Sequence, residues 1–306
     1  MTSLKVYPGP LNGRIFSQPS KSMAHRAMIC AALADGTSFI DNVVLSDDIS
    51  ATLGAIGAIG ADAKVHDSLV YKGRKSVAIE SRGQIRLRAK EIDCGESGST
   101  ARFILPITRL AAGPATVTGH GRLIGRPFTP YRDVFLKKGV HYTDSEGKLP
   151  ITVSGKLSPG EYVLPGDVSS QFISGLLFVL PLLESSSRLI IQGRMESSPY
   201  IFMTIRVLKE FGIDIGADAG KQSFSIAGGQ KYKPVKNYII EGDWSQAAFF
   251  CVMGALSGNI AVEGLKIDSI QGDKVILDIL ERMGARFEFG EEGLSIKRSG
   301  LCGTDA

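Results

Sequence analysis

Asp48-Ile-Ser-Ala-Thr-Leu-Gly-Ala-Ile-Gly-Ala-Ile-Gly60 reads as a helix closed by a glycine, and Ala63 to Ser81 after it as a hairpin. Glycine just past a helix adopts the left-handed backbone that ends it at little steric cost. Upstream, Lys21 to Ala34 is small and apolar, a first helix stopping at Gly36. Thr37-Ser-Phe-Ile-Asp-Asn-Val then alternates as a short strand. The same order returns three times. Helices begin near Ser97, Ser169 and Ser245, and strands follow at Ala115 to Thr118, Arg188 to Gln192 and Asn259 to Val262. Second helices end at Gly139, Gly212 and Gly284, with hairpins over Val140 to Val153, Ile213 to Ile226 and Ala285 to Ile296. The closing glycines are 79, 73 and 72 residues apart. So regular an interval implies duplication of one βαβαββ unit.

Three units fill residues 20–228 as a complete domain. Gly228-Gly-Gln-Lys-Tyr-Lys-Pro-Val marks a boundary, and the fourth unit follows alone. Leu4 to Ile15 reads as a strand and turn outside the first repeat. Residues 1–19 and 229–306 are therefore expected to form an incomplete second domain, the start of a second set of three. The exposed apolar face of an unpaired fourth unit would favour self-association.

Composition fits this organisation. The 306 residues are 43% hydrophobic and 22% charged with a net charge of +4, as expected of a globular protein of two domains. There is no Lys/Arg run of the kind that tracks a nucleic-acid backbone. The longest apolar stretch, Ile173 to Leu183, is broken by Ser174 and Gly175 and is too short for a membrane span. The N-terminus lacks a signal-peptide core, so a cytoplasmic location is expected. Cys30, Cys94, Cys251 and Cys302 form no Cys-x-x-Cys pair and read as reduced thiols. Four histidines without a His-Glu-x-x-His motif predict no dedicated metal site.

The chemistry gathers at the helix starts: Pro19-Ser-Lys-Ser-Met-Ala-His-Arg26, Cys94-Gly-Glu-Ser-Gly-Ser-Thr-Ala-Arg102, Gly166-Asp-Val-Ser-Ser-Gln171 and Gly242-Asp-Trp-Ser-Gln246. Each could be ordinary N-capping by Ser or Asp. In the first two, Lys21, Arg26 and Arg102 add cations to a helix end that already presents N–H donors and a positive dipole. Three such ends brought together by pseudo-symmetry would make a funnel for a doubly or triply anionic small ligand. Gly125-Arg-Pro127 places a guanidinium in the loop between strand and second helix; it suits a planar acid, though a solvated surface arginine reads equally well. Ser197-Ser-Pro-Tyr200 occupies the equivalent loop of the third unit.

Pro-Ser-Lys-Ser-x-x-x-Arg, Gly-x-Ser-Gly-Ser-Thr-x-Arg, Arg-Pro, Val-Ser-Ser-Gln-Phe, Ser-x-Pro-Tyr-Ile and Glu-Gly-Asp-x-Ser occur here in that order. Together they resemble the signature set of the 5-enolpyruvylshikimate-3-phosphate synthases, over essentially the whole chain. The resemblance implies an α/β fold of two similar domains, each of three βαβαββ units in an inside-out barrel. It implies transfer of the enolpyruvyl group of phosphoenolpyruvate to the 5-hydroxyl of shikimate 3-phosphate, with release of phosphate and with no cofactor. Protonation of the enol carbon makes C2 cationic, the hydroxyl adds, and phosphate leaves.

By the same resemblance, Lys21, Ser22, Arg26, Ser169, Ser170, Gln171, Ser197 and Tyr200 would hold shikimate 3-phosphate. Lys21, Gly98, Ser99, Arg126 and Gln171 would hold phosphoenolpyruvate, with Lys21 also catalytic and Gly98 required because a side chain would collide with the ligand. A non-catalytic binder of phosphorylated small molecules would keep the same residues. The related UDP-N-acetylglucosamine enolpyruvyl transferases have Lys-Asn in place of Lys21-Ser22 and a cysteine in a loop that here, Gly119 to Arg126, has none. The partners implied are small anions, without nucleic acid or membrane, for a monomeric enzyme. The family's Pro-Asp and Lys-Glu-x-x-Arg motifs are not found by Leu301-Cys-Gly-Thr-Asp-Ala306, so the chain is expected to lack those catalytic groups and to be inactive alone.

Overall fold

The computed structural model describes residues 4, 5, 7, 9–111, 113–218, 222–290 and 293–305. In chain order the elements are β1 (Leu11–Phe16), α1 (Lys21–Leu33), β2 (Asp35–Val43), α2 (Asp47–Ala58), β3 (Asp62–Asp67) and β4 (Lys75–Arg82). The second unit comprises β5 (Glu91–Asp93), α3 (Gly98–Ile107), β6 (Ala115–Thr118), α4 (Thr129–Lys137), β7 (His141–Ser145) and β8 (Lys148–Ser154). The third comprises β9 (Gly160–Pro165), α5 (Ser170–Val179), β10 (Ser187–Gln192), α6 (Ser198–Glu210), β11 (Gly216–Asp218) and β12 (Ser223–Ile226). Then come β13 (Tyr238–Ile239), α7 (Trp244–Ser257), β14 (Gly258–Glu263), α8 (Ile276–Arg282), β15 (Arg286–Gly290) and β16 (Gly293–Lys297).

Among the described residues these strands make four four-stranded sheets with one wiring: β13-β2-β4-β3, β5-β6-β8-β7, β9-β10-β12-β11 and β1-β14-β16-β15. In each, the leading strand is parallel to its neighbour and the other pairings are antiparallel. Repetition of this register is the structural form of the sequence repeat. Each second helix ends at a glycine with positive φ: +113° at Gly60, +73° at Gly139, +81° at Gly212 and +91° at Gly284.

The chain divides into two compact units, residues 21–240 and residues 1–20 with 241–306. The leading strands explain where the division falls. β13 precedes α7 in sequence but pairs with β2, so residues 229–240 belong with the larger unit. β1 precedes α1 but pairs with β14, in the smaller one. Gly36 is not a helix stop as the sequence suggests. α1 ends at Leu33, and Gly36 lies inside β2 at φ +125°, where a Cβ would meet Pro234 Cγ at 3.1 Å.

In the larger unit, α1, α3 and α5 are buried on nearly every side, while the strands alternate buried and exposed residues. A helix apolar all round belongs to an interior. Helices inside and sheets outside is therefore the arrangement these compositions require. The smaller unit has its own core, with Trp244, Cys251, Val262, Leu294 and Ile296 among its members. Asp243, rather than Ser245, caps α7 by accepting from the Ser245 and Gln246 N–H groups. That helix also exposes Phe249, Met253 and Leu256.

Among the described residues no helix is long and apolar enough to cross a membrane. Cys30, Cys94 and Cys251 are buried free thiols, and Cys302 is exposed.

Candidate functional site

The site-forming residues of the larger unit sort into three hydrogen-bonded groups, all at helix N-termini. The first lies at α3 and α5. Ser97 caps α3 by accepting from Thr100 N–H at 3.2 Å, and Ser169 caps α5 by accepting from Gln171 N–H at 3.3 Å. From that cap Gln171 reaches across. Its Nε2 donates to Ser99 Oγ at 2.9 Å, and its Oε1 accepts from Arg102 at 2.5 Å.

Arg102 is only 7% exposed. Its guanidinium lies over the faces of Phe172 and Phe128, 4.9 and 5.4 Å from the ring centroids, and its Nε has no partner. Arg126, exposed at the end of a short 3-10 turn over Gly121–Gly125, brings a second guanidinium to the same place. A Cβ on Gly98 would stand 2.8 Å from Arg126 Nη1 and 3.3 Å from Arg102 Nη1. Burial first, and then the charge of Arg126, pulls the Arg102 pKa down to about 10. Neither arginine has an ion pair among the described residues. Two adjacent guanidiniums without a counter-charge among the described residues, over a residue with no side chain, have the chemistry to accept an anion.

The second group joins α1 and α6. Arg26 Nε donates to Thr204 Oγ1 at 2.8 Å, and the two terminal nitrogens donate to the carbonyls of Ser22 (2.8 Å) and Tyr200 (3.1 Å). At 3% exposure, with Phe103 and Tyr200 rings beside it, Arg26 lies in the floor of the site. Three of its five N–H donors are committed to holding Ser22 and α6 in register, which leaves two for a ligand. Tyr200 is not in a loop. It belongs to the first turn of α6 with Pro199, and the preceding Ser197 is exposed, with a left-handed backbone at φ 53° and no capping bond. A non-glycine residue held there is strained, and such strain clusters at ligand sites.

The third group joins α1, α2 and α3. The Lys21 ammonium, half-exposed, pairs with Asp48 in the first turn of α2. One turn along, His25 Nδ1 lies 2.7 Å from Thr52 Oγ1, which lies 2.6 Å from Thr100 Oγ1, and Thr100 reaches Ser97 Oγ at 2.7 Å. Burial pushes the His25 pKa down to about 3, with Asp48 opposing and Lys21 and Arg26 adding to the shift.

A pH dependence follows from this histidine. Above pH 6.5 the ring is neutral in both folded and unfolded chains. Below it the unfolded chain takes up a proton that the native one refuses until about pH 3. Stability should fall on acidification from 6.5 towards 3, by about 1.4 kcal/mol per unit. Urea unfolding at pH 7 and pH 5 should show a loss of about 2 kcal/mol that His25→Asn largely removes. An equal loss in both proteins would rule it out.

Sequence reading gave ligand roles to Gly98, Ser99, Arg126 and Gln171, which meet at the starts of α3 and α5, and to Ser22, Arg26 and Tyr200, which meet at α1 and α6. It did not single out Asp48, Thr52, His25 or Thr100. It named Arg102 as a cation at a helix start but assigned it to neither ligand. Among the described residues no group of three or more His, Cys, Asp or Glu is disposed to hold a metal.

An inside-out unit of βαβαββ repeats, with Lys21 and Arg102 near helix starts and Arg126 in a loop beside α3, has the architecture of the enolpyruvyl-transferase-like α/β class. The family profile EPSP synthase (3-phosphoshikimate 1-carboxyvinyltransferase) matches residues 6–305, and the chain belongs to that family. A 3-phosphoshikimate 1-carboxyvinyltransferase from Clostridium beijerinckii is 45% identical over 295 residues, covering 96% of this chain and 67% of the relative. The protein of the same name from Clostridium acetobutylicum is 45% identical over 304 residues, 98% of this chain and 68% of its own length. The EPSP synthase structure from Acinetobacter baumannii shares the fold at TM-score 0.77 and 23% identity, over 95% of this chain and 65% of that one. The chain thus spans about two thirds of the length of these relatives.

Proposed function

We propose that this chain carries the shikimate 3-phosphate site and one wall of the phosphoenolpyruvate site for the family's transfer of an enolpyruvyl group to the 5-hydroxyl, with phosphate released. Lys21, Ser22, Arg26, Ser169, Ser170, Gln171, Ser197 and Tyr200 would hold the phosphorylated ring. Arg126, Gly98, Ser99 and Gln171 face phosphoenolpyruvate, and Arg102 joins them. The observation that carries the reading is the pair of guanidiniums, Arg102 and Arg126, meeting over a residue without a Cβ. In the reaction a proton adds to the methylene carbon and the 5-hydroxyl oxygen bonds to C2. The hydroxyl gives up its proton, and loss of phosphate with one proton of the newly formed methyl group then restores the double bond. Fixed cations hold two mutually repelling anions within reach of each other, where this addition needs them. Both ligands are small anions of metabolism, which supports a cytoplasmic location.

Calorimetric titration of the chain tests the reading. Shikimate 3-phosphate should bind one to one, shikimate should not, and Gln171→Ala should weaken the phosphate ester about tenfold, roughly 1.4 kcal/mol. Equal affinity for shikimate and its 3-phosphate, or binding by neither, would overturn it.

A further inference from the structure

Lys21 and His25 stand one turn apart on α1, and Asp48 and Thr52 one turn apart on α2. Residues so spaced share a helix face. The first turns of the two helices are therefore joined by two rungs, Lys21–Asp48 outside and His25–Thr52 inside. The outer rung is half-exposed, where a lone ion pair holds geometry poorly. The inner one is sealed: His25 is 1% exposed and Thr52 fully buried.

The inner contacts, His25 Nδ1 with Thr52 Oγ1 and Thr52 Oγ1 with Thr100 Oγ1, could run in either donor direction by distance alone. With an Nδ1–H ring, His25 donates to Thr52, Thr52 to Thr100, and Thr100 to Ser97 Oγ at the cap of α3. Both threonine hydroxyls also lie near the Asp48 carbonyl, at 3.2 and 3.5 Å. The opposite tautomer would bury an Nε2–H donor with nothing to receive it, since His25 Nε2 has no partner. The run of hydroxyls thus links the backbone of Asp48 to the helix end that carries Gly98 and Ser99. Both side chains are sealed from the surface, so they can act on a ligand only through Lys21, Asp48 and the α3 cap.

We propose, resting on the shikimate 3-phosphate reading above, that His25 and Thr52 are positioning residues which fix the Lys21–Asp48 pair, and with it the ammonium that meets the substrate. Each hydroxyl in such a chain polarises the next, so removal of one weakens the whole.

The test replaces Thr52 by the near-isosteric valine and by serine, in the full chain, with Lys21→Ala as the partner of a double-mutant cycle. Thr52→Val should weaken shikimate 3-phosphate about tenfold, and Thr52→Ser should stay within about twofold of the parent. In the Lys21→Ala background Thr52→Val should change affinity by less than about twofold, because its effect passes through the lysine. Independent effects that multiply, or a valine variant that binds like the parent, would overturn the proposal.

A ligand-free readout separates this outcome from failure of the substrate reading. Nitrogen NMR should show His25 as the Nδ1–H tautomer. The Lys21 side-chain resonances should shift in Thr52→Val and not in Thr52→Ser. An Nε2–H ring or an unmoved lysine defeats the proposal whether or not the parent binds shikimate 3-phosphate.

Discussion

Replacing Gly175 by alanine is expected to destabilise the chain by about 3 kcal/mol, although alanine is the better helix former. Gly175 lies in the middle of α5, where α3 crosses it. A Cβ there would overlap the Tyr131 hydroxyl and stand 2.5 Å from the Arg102 carbonyl oxygen and 3.2 Å from Pro106 Cγ. The Tyr131 hydroxyl itself bridges the two helices, at 2.7 Å from the Arg102 carbonyl and 3.0 Å from that of Phe172.

The magnitudes decide the sign. Glycine to alanine in a helix gains about 1 kcal/mol. Overpacking a close crossing costs about 1–3 kcal/mol, and breaking a buried hydroxyl bridge costs about as much again. Urea unfolding followed by circular dichroism should show the loss, and shikimate 3-phosphate affinity should fall with it, because Arg102 and Gln171 are set by the same crossing. A variant as stable as the parent would show that the helices separate here at little cost. Tyr131→Phe keeps the ring and should lose only about 1–2 kcal/mol, which divides the hydroxyl's share from that of the crossing.

Gly175 also shows where the sequence stopped being readable. As an interruption of the apolar run from Ile173 to Leu183 it counts against a membrane span, but nothing local says that a second helix passes over it. What repeats locally could be read. The four helix-closing glycines follow from the backbone they must adopt, and Ser97 and Ser169 cap α3 and α5 as their residue types require. The leading strands were harder. β5 has three residues and β13 two, too few for an alternating pattern, and β13 pairs with a strand some two hundred residues earlier in the chain. Gly36 looks like a helix stop because positive φ serves a strand as well as a helix end.

The site divides along the same line. Residues in motifs at helix starts were legible: Ser22, Gly98, Ser99, Ser169, Ser170 and Gln171. The Lys21–Asp48 pair and the His25–Thr52 contact each join positions 27 apart through helix packing, which no periodicity encodes. Arg26 and Arg102 look alike in sequence, each a few residues into a helix. One is committed to backbone carbonyls on the floor, while the other faces Arg126 with an unpartnered Nε. Only the packing of Phe103, Phe128 and Phe172 around them separates those roles.

That separation sets the second large effect. Arg126→Ala should weaken phosphoenolpyruvate, titrated in the presence of shikimate 3-phosphate, by about a hundredfold while leaving the affinity for shikimate 3-phosphate within about twofold. Arg102 cannot compensate. Its guanidinium is pinned by Gln171 and two aromatic faces, and it reaches the anion only with its free edge. Arg126 has no side-chain partner to lose among the described residues, so the substitution removes a ligand group without orphaning a protein one. A charge-assisted pair of this kind contributes about 2–3 kcal/mol, which is the hundredfold. Folding stability should change little, or rise slightly, because a repulsion between two cations is relieved. Added salt should erode phosphoenolpyruvate binding by the parent more than by the variant. If Arg126→Ala weakens both ligands alike, the two anions share one cationic floor and the assignment of Arg126 and Gly98 to phosphoenolpyruvate fails. If it weakens neither, Arg126 is a solvated surface arginine and Arg102 alone carries the charge.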